Sequence, residues 1–519
     1  MIRSWDSSLM ACPTAMLSVA YLLPMQQCIA RVCRLHIKAE NSKQNGGEKD
    51  ALDFYMKIWT ICFSLSNKSR LGETLRMAKA HKGQLYEHHL KRELGLFEAT
   101  FYGVGIIIGA GIFVMLGSAS GLAGNAVWLS FVLSALIAAF TGLSYCELSS
   151  RYPHESAEYL YTKQAFRSLS LSFIIGWLLI ITAAFSAATV AVGFAGYFSA
   201  LFSTPVAETA VMLLLLLSLV NFRGIKESAR MSVLFALMEI GALVIVILIS
   251  IPFLGSVNYF STPSGSLPAG LGGVAAAAAL VFFAYIGFDT IPKISDETRK
   301  PSKTIPKALV YSLVISTVLY ILVSLSVVSV LPWEGLAASV APLTDVTIAA
   351  AGPIWGSIIS FLALVATLST VLIILVAGSR TIYGMAKEGA LPEYLAHVHP
   401  KRRTPYIAVF LIMVLSMVFV YTGNITTLAS MTNVGMFIVF IFVNASLISV
   451  RFKAKNRSPF RVPLNIGRFP VLALFGLVTS AIFLLQFEPI IYTYQAAAIA
   501  AGLFMFKILH TGKKKHRII

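Results

Sequence analysis

The sequence predicts an all-α integral membrane protein with twelve transmembrane helices, and three observations support this fold class. First, 57% of the 519 residues are hydrophobic and only 12% are charged, a composition far from that of soluble domains. The mean hydropathy is +0.79. Second, apolar runs long enough to cross about 30 Å of hydrocarbon recur from Phe97 to the C-terminus. Third, the positive residues lie in alternate connections between these runs.

The apolar runs define the predicted spans one by one. In chain order they cover approximately residues 97–117, 124–149, 169–198, 206–222, 231–254, 270–291, 308–331, 345–379, 405–422, 426–450, 469–486 and 489–508.

The distribution of charge fixes the expected topology. From residue 97 onward the chain has 27 Lys and Arg residues, and all of them lie in or beside even-numbered connections or in the C-terminal tail. The odd-numbered connections, such as 255–269 and 332–344, have none. Because cytoplasmic loops are rich in Lys and Arg, both termini are expected in the cytoplasm, with the protein in the cell membrane. The net charge of +18 therefore indicates membrane topology rather than a nucleic-acid partner.

The first ninety residues differ in composition from the rest. They contain two short apolar patches, roughly 9–24 and 54–65, that are too short for convincing spans. Residues 1–90 are expected to form a cytoplasmic extension of unknown role. An over-extended reading frame is the other interpretation, since Met56 and Met77 are plausible later starts.

A glycine-rich stretch interrupts the first span. Gly105, Gly109, Ala110 and Gly111 lie where the helix should be most strongly enforced. Backbone groups inside a membrane must be satisfied internally, so a weakened helix is tolerated only where it faces protein or a water-filled cavity. The stretch therefore indicates a broken helix beside a solute cavity. A packing seam of small residues between helices is the alternative.

A second interruption is predicted five spans later. Residues 284–289 contain Gly287 and Asp289, and Pro292 follows. Paired interrupted helices in two halves of a chain indicate an inverted-repeat transporter with its site at the midplane. Because five is an odd number, the second repeat enters the membrane from the opposite side. Residues 91–450 are thus predicted to form a ten-span transport core, and 451–519 two extra spans with a basic tail.

The two interruptions predict complementary chemistry. Free N–H groups after Gly109, Ala110 and Gly111 carry the positive end of a helix dipole and suit a carboxylate. Carbonyl groups of the sixth span can face a cation such as an α-ammonium group. One anion site opposite one cation site fits a zwitterion, and an α-amino acid meets that description better than a sugar, an ion or a lipid.

Several motifs in order resemble a known family. The chain is similar, over about residues 90–510, to the amino acid–polyamine–organocation (APC) superfamily of transporters, and within it to the cationic-amino-acid-transporter-like branch. The motifs that carry this resemblance are Gly-Ile-Ile-Ile-Gly-Ala-Gly-Ile-Phe at 105–113, Tyr-Cys-Glu-Leu at 145–148, Phe-Phe-Ala-Tyr-Ile-Gly-Phe-Asp at 282–289, Asp-Glu-Thr-Arg-Lys-Pro at 296–301 and Ser-Arg at 379–380.

The resemblance implies a LeuT-like fold of 5+5 inverted repeats with discontinuous helices 1 and 6, plus two C-terminal helices. It also implies which residues contact substrate, with the carboxylate on the first-span backbone and the amine on carbonyls of Phe283, Ala284 and Ile286. The residues expected in the substrate site are Ile107, Gly109, Ala110, Gly111, Phe282, Phe283, Ala284, Tyr285, Ile286 and Gly287.

Glu239 departs most clearly from the family pattern. Its place in the fifth span is where some proton-coupled relatives carry a lysine, and this chain has a carboxyl group there. A charged side chain at the centre of a membrane helix costs about 2.5–3.5 kcal/mol, so an ionisable group there is a functional hypothesis by default. Glu239 is therefore a candidate for proton coupling. A structural, hydrogen-bonded carboxyl group is the alternative.

The remaining candidates have two interpretations each. Asp289 either caps the second half of the sixth span or contacts substrate or a proton. Three hydroxyl side chains of the eighth span either bind a sodium ion or bond their own helix backbone: Thr367, Ser369 and Thr370. Three charged residues of the cytoplasmic motifs are either gating residues or ordinary solvated charges: Glu297, Arg299 and Arg380.

These observations predict a secondary active transporter of amino acids that works by alternating access. The chain has no phosphate loop of the Gly-x-x-x-x-Gly-Lys-Ser/Thr type, so ATP is not expected to drive it. No enzymatic activity, cofactor or metal is expected, and the partners are an amino acid substrate and the lipid bilayer. Proton symport is the first expectation, with sodium a lesser candidate for the coupling ion. Amino acid exchange and an amino-acid-sensing transceptor are the alternatives.

The sequence shows no acidic residue clearly placed to bind the side chain of a Lys or Arg substrate, which favours neutral or broad specificity.

Overall fold

The computed structural model describes residues 94–152, 157–224, 229–266, 269–421, 424–453 and 458–515. The chain divides into two units, Met1–His89 and Leu90–Ile519, and all of the described residues belong to the second. The predictions made for residues 1–90 therefore lie outside the described residues.

The described part of the chain is almost entirely helical. In chain order the α-helices are α1 Leu96–Ile108, α2 Gly111–Ala123, α3 Val127–Arg151, α4 Ala157–Phe166, α5 Leu169–Phe202, α6 Val206–Arg223, α7 Ala229–Ser250, α8 Leu271–Val281, α9 Pro301–Val330, α10 Trp333–Ala338, α11 Pro342–Ala351, α12 Pro353–Lys387, α13 Tyr406–Val420, α14 Ile425–Lys453, α15 Val471–Leu484 and α16 Pro489–Lys515.

Shorter elements connect these helices. Segments of 3₁₀-helix cover Gly124–Ala126, Ile251–Phe253, Phe282–Tyr285, Phe288–Glu297 and Glu393–Ala396. Two small antiparallel hairpins pair β1 Ser261–Thr262 with β2 Gly265–Ser266, and β3 Asn465–Ile466 with β4 Phe469–Pro470.

The helices agree with a protein that crosses a membrane several times. Nine helices among the described residues are long and apolar enough to span a bilayer, and three shorter apolar helices cover Leu96–Ile108, Tyr406–Val420 and Val471–Leu484. This supports the prediction of a multi-pass membrane protein. The count of twelve spans and the inverted repeat stay predictions.

One predicted span has different bounds in the structure. The apolar run 345–379 is divided between α11, which ends at Ala351, and α12, which begins at Pro353. Proline is favoured in the first turn of a helix because its nitrogen has no hydrogen to leave unpaired there. Gly352 and Pro353 therefore end one helix and start the next, although the run is continuous in hydropathy.

Helix α5 lies deepest in the structure. In its most apolar stretch 78% of residues are buried, against 17–67% for the other eight long helices. Many small residues, among them Ala187, Ala188 and Ala191, are fully buried in it, which allows neighbouring helices to approach closely. Helix α5 thereby provides one fixed wall for the cavity described next.

Candidate substrate site

The first predicted helix break lies between α1 and α2. Gly109 ends α1 with φ +29° and ψ −131°, a conformation that L side chains rarely adopt. The hydrogen-bond ladder resumes when the N–H of Val114 donates to the oxygen of Ala110 at 3.1 Å. The first N–H groups of a helix have no partner within it, so those of Gly111 to Phe113 lie at the start of α2 and carry its positive dipole end.

The second predicted break follows α8. The chain passes through the 3₁₀ turn Phe282–Tyr285 and an extended Ile286, with ψ +132°, before the next 3₁₀ segment begins at Phe288. Gly287 has φ +123°, which again favours glycine. The oxygen of Phe283 accepts only a long 3.3 Å bond from the N–H of Ile286. A carbonyl oxygen has two lone pairs, so this oxygen retains capacity for another donor.

The two breaks lie against each other. A Cβ atom on Gly111 would come within 2.3 Å of the Ala284 Cα atom, and one on Gly287 within 2.4 Å of the Ile106 side chain. Only glycine fits such distances, because real Cβ contacts are longer. The glycines that weaken the helices therefore also let the two interrupted segments approach.

A cavity opens beside this junction. Its volume is about 130 Å³, roughly ten times the space that one buried water needs, so a small solute fits. The lining comes from α1, α2, the break after α8, α5, α12 and α14 and is mainly apolar. It comprises Ile106, Ile107, Ala110, Gly111, Leu179, Thr182, Ala183, Ser186, Val190, Phe283, Ile286, Gly287, Asp289, Thr290, Thr370, Ile373, Ile374, Ala377, Gly378, Thr381, Thr432 and Met436.

Six of the ten predicted substrate-site residues line this cavity: Ile107, Ala110, Gly111, Phe283, Ile286 and Gly287. The other four are not among the described lining residues. Gly109 forms the bend, with its N–H donating to Gly105 at 3.0 Å. Phe282 packs on Phe437 with ring centres 4.7 Å apart, away from the lining.

Tyr285 and Ala284 are held by neighbouring helices. The Tyr285 hydroxyl donates to the oxygen of Phe131 in α3 at 3.0 Å. The oxygen of Ala284 accepts a 2.9 Å hydrogen bond from the hydroxyl of Tyr320 in α9. Tyr320 was not among the predicted site residues, because an isolated tyrosine in an apolar run is usually a packing residue.

Comparison with known proteins identifies the family. Residues 94–505 match the profile of the amino acid permease family. The chain belongs to this family. It is a member of the APC superfamily, whose proteins are membrane transporters rather than enzymes.

This permease is similar to several transporters of known name. It is 33% identical over 389 residues to the branched-chain amino acid permease of Bacillus subtilis, covering 71% of this chain and 82% of that protein. It is 32% identical over 395 residues to the methylthioribose transporter of the same organism, covering 72% and 84%. It is 28% identical over 415 residues to human cationic amino acid transporter 4, covering 76% and 65%.

The carboxyl group of Glu239 lies next to the first helix break, near Gly109. Its side chain in α7 is only 3% exposed. One carboxyl oxygen accepts a 3.3 Å hydrogen bond from Ser369 in α12, and the carboxyl group also interacts with the backbone N–H of Gly109. The second oxygen, Oε2, has no hydrogen-bond partner among the described residues. Glu239 therefore joins three elements at the bend of the interrupted helix.

The predicted sodium-binding hydroxyls all bond their own helix. Thr367 donates to Ala363 at 2.7 Å, and Ser369 and Thr370 both donate to Ala366 at 2.8 Å. Thr370 also faces the bend, since a Cβ atom on Gly109 would lie 2.7 Å from its Oγ1 atom. Their oxygens retain lone pairs, but the local bonding is that of ordinary membrane-helix hydroxyls.

Asp289 has a capping contact and also lines the cavity. Its Oδ1 atom accepts a 3.2 Å hydrogen bond from the N–H of Gly287, so the side chain reaches back to the residue before the 3₁₀ segment, as an acid in the first turn of a helix does in a capping box. The side chain is 6% exposed and contributes to the cavity lining. Both interpretations of Asp289, capping and contact with substrate or a proton, stay predictions.

Arg299 and Arg380 are not among the described residues that line the cavity. The backbone N–H of Arg299 donates to the oxygen of Leu94 at 2.9 Å, which ties the loop after the second break to the chain just before α1. Arg380 in α12 is exposed. Glu297 ends the 3₁₀ segment Phe288–Glu297, and its side chain lies outside the described part of the structure.

Sequence reasoning missed the part of the cavity lining that α5 and α14 contribute. Thr182 and Ser186 of α5 and Thr432 and Met436 of α14 line the cavity. Each is a single small or flexible side chain in a long apolar run, and only the packing of α5 and α14 brings them to one place.

Proposed function

We propose that this permease is a secondary active transporter that moves neutral amino acids across the plasma membrane by alternating access, coupled to protons. In this proposal the chain has twelve spans, a 5+5 inverted repeat and both termini in the cytoplasm. The observation that carries the proposal is the junction of two interrupted helices at one cavity. Amino acid transport also agrees with the family and with the names of its curated relatives.

The two sides of the cavity suit the two ends of an amino acid. The start of α2 offers N–H groups and a positive dipole end near Gly111, which favour a carboxylate. The break after α8 offers the oxygen of Phe283 on the facing side, which favours an ammonium group. Both Gly111 and Phe283 line the cavity. An α-amino acid satisfies both sides at once.

The remaining wall favours a neutral side chain. It consists mostly of apolar groups such as Leu179, Ile373, Ile374 and Met436, and among the described lining residues Asp289 is the only ionisable one. The Asp289 carboxylate already accepts a backbone bond from Gly287. Burial of an apolar side chain in such a wall is favourable at about 25 cal/mol per Å².

Glu239 supports proton coupling by its position. A negative carboxylate beside Gly109 opposes the binding of a substrate carboxylate at the adjacent start of α2, because like charges repel strongly in a medium of low dielectric constant. A proton on Glu239 removes this repulsion. Proton binding and substrate binding then reinforce each other, and such coupling is reciprocal.

Uptake of labelled amino acids into proteoliposomes tests the function. Three conditions are compared: an inward proton gradient, an inward sodium gradient, and unlabelled amino acid inside. Accumulation of neutral amino acids driven by protons supports the proposal. Stimulation only by internal amino acid would indicate an exchanger. Sodium-driven uptake would indicate that sodium is the coupling ion and binds near Ser369 and Thr370.

Glu239→Gln tests the coupling residue. The amide keeps the shape and accepts the Ser369 bond but cannot change charge, so we expect exchange to continue while proton-driven accumulation is lost. Glu208→Gln is the matched control, because Glu208 is an exposed carboxylate at the start of α6. Unchanged proton-driven uptake in Glu239→Gln would refute this role.

A further inference from the structure

The hydroxyl of Tyr320 lies where both interrupted helices present carbonyl oxygens. Its Oη atom is 2.7 Å from the oxygen of Ile107 at the end of α1 and 2.9 Å from the oxygen of Ala284 in the second break. The oxygen of Ile108 is 3.5 Å away. Tyr320 belongs to α9, a third and uninterrupted helix.

A tyrosine hydroxyl has a single proton to donate. The oxygens of Ile107 and Ala284 both lie within hydrogen-bonding distance, so they share this proton or receive it in turn. The hydroxyl thereby links two segments whose own helical ladders are broken. No ligand group is required for this link.

The ring of Tyr320 is held firmly in place. The residue is fully buried, and its ring centre lies 5.2 Å from that of Phe131 in α3 and 5.3 Å from that of Tyr285. These distances are typical of favourable aromatic pairs. The hydroxyl therefore has a defined position between the two carbonyl groups.

A bound amino acid would join the same two segments in another way. On the proposed function, its carboxylate binds at the start of α2 and its ammonium group, which has three N–H donors, binds carbonyl groups of the second break. In the loaded carrier the substrate thus links the two interrupted segments. The empty carrier has no substrate bridge, and the Tyr320 hydroxyl is then a link that remains between the two breaks.

We infer that Tyr320 is a positioning residue that joins the two interrupted helices while the carrier is empty, in place of substrate. This inference rests on the proposed function. It assigns the hydroxyl to one half of the transport cycle, namely the return of the empty carrier. Alternating access moves one group of helices largely as a rigid body against the other, and such a movement requires the two breaks to remain connected.

Net uptake and exchange separate the two halves of the cycle. Net uptake requires the empty carrier to return, whereas exchange of internal for external amino acid uses only the loaded carrier. Tyr320→Phe keeps the ring and removes the hydroxyl. We expect net uptake to fall roughly tenfold, the scale set by one buried carbonyl group left without its donor, with exchange within about twofold of wild type.

Ser312→Ala is the matched control. Ser312 is also buried in α9, and its hydroxyl donates to the oxygen of Thr100 in α1 at 2.8 Å. It contacts one interrupted helix but not the other, so its loss should leave the ratio of net uptake to exchange unchanged. An equal loss of both activities in Tyr320→Phe, or the same altered ratio in Ser312→Ala, would overturn the inference.

A second variant covers the case in which Tyr320→Phe does not fold. Replacement of Tyr320 by p-aminophenylalanine keeps a donor at the same position and supplies two N–H groups. This variant should retain a wild-type ratio of net uptake to exchange, and a loss of net uptake alone would contradict the inference. If wild-type protein showed neither net uptake nor exchange of any amino acid, the proposed function itself would fail instead.

Discussion

At the scale of single residues, the glycines at the breaks have two physical roles. Gly109 and Gly287 allow backbone conformations that other residues disfavour. Gly111 has no room for a side chain, because its hypothetical Cβ atom would meet the backbone of Ala284 at 2.3 Å. The position of the first break follows from the glycine run itself, whereas the contact between Gly111 and Ala284 requires the packed structure.

Gly111→Ala is therefore expected to abolish transport. The added methyl group forces α2 away from the second break, and overpacking of this kind costs about 1–3 kcal/mol. Uptake by reconstituted protein measures the effect. Gly241→Ala in α7 is the control, since nothing lies within 4 Å of its added Cβ atom, and transport should persist. Normal uptake by Gly111→Ala would show that the two breaks do not need to remain in contact.

Tyr320 illustrates what residue patterns do not reveal. Its neighbours in sequence are apolar, and its two carbonyl partners, Ile107 and Ala284, lie 213 and 36 residues away. No local rule connects such positions. Glu239 is different, because a carboxyl group inside an apolar run is conspicuous in any membrane sequence, although its contacts with Ser369 and Gly109 are not.

At the scale of elements, α3 and α14 are joined at one end by a buried ion pair. Both carboxyl oxygens of Glu147 bind the guanidinium group of Arg451, and the Nε–Oε1 distance is 2.8 Å. The same carboxylate accepts the N–H of Val462 at 2.8 Å. The pair thus fixes the connection between α14 and α15 as well as the two helices.

Arg451→Gln should destabilise the protein strongly. Loss of one partner leaves the other charge buried, which costs about 3–5 kcal/mol. Thermal unfolding of the purified protein measures this as a fall in Tm of several degrees. Lys163→Gln is the control, because the Lys163–Glu388 pair is 32% and 39% exposed and pairs of that kind contribute about 0–1 kcal/mol. Equal losses in the two variants would contradict this assignment.

The helix boundaries were largely predictable, with one clear exception. Most apolar runs coincide with a helix or with a pair of half-helices, because backbone groups in hydrocarbon must be satisfied internally. The run 345–379 fails this rule, since α11 ends at Ala351 and α12 begins at Pro353. A hydropathy profile does not detect a short turn between two apolar helices. The dipeptide Gly352-Pro353 was the sequence feature that could have predicted it.

At the scale of the whole molecule, the family match and the cavity occupy the same part of the chain. The match covers residues 94–505, and the cavity-lining residues that the structure describes lie between Ile106 and Met436. The family match therefore begins after residues 1–90, the segment that transmits a signal in the transceptor alternative.

Deletion of residues 1–90 should leave amino acid uptake intact. The shortened chain begins just before α1 and keeps every cavity-lining residue that the structure describes. Uptake by the shortened protein, compared with the full-length chain at equal reconstituted amount, measures the effect. A loss of uptake with unchanged ligand-dependent melting would assign a direct role in transport to the N-terminal segment.

The membrane class, the helical content, the place of both helix breaks and the family could be read from the sequence, because they depend on composition, hydropathy and local glycine patterns. Helix packing was needed to show which groups share the cavity, that Glu239 lies at the bend of α1, and that Tyr320 links both breaks. These contacts join residues far apart in the chain. They depend on how helices pack, and the apolar surfaces that pack them are nearly uniform in sequence.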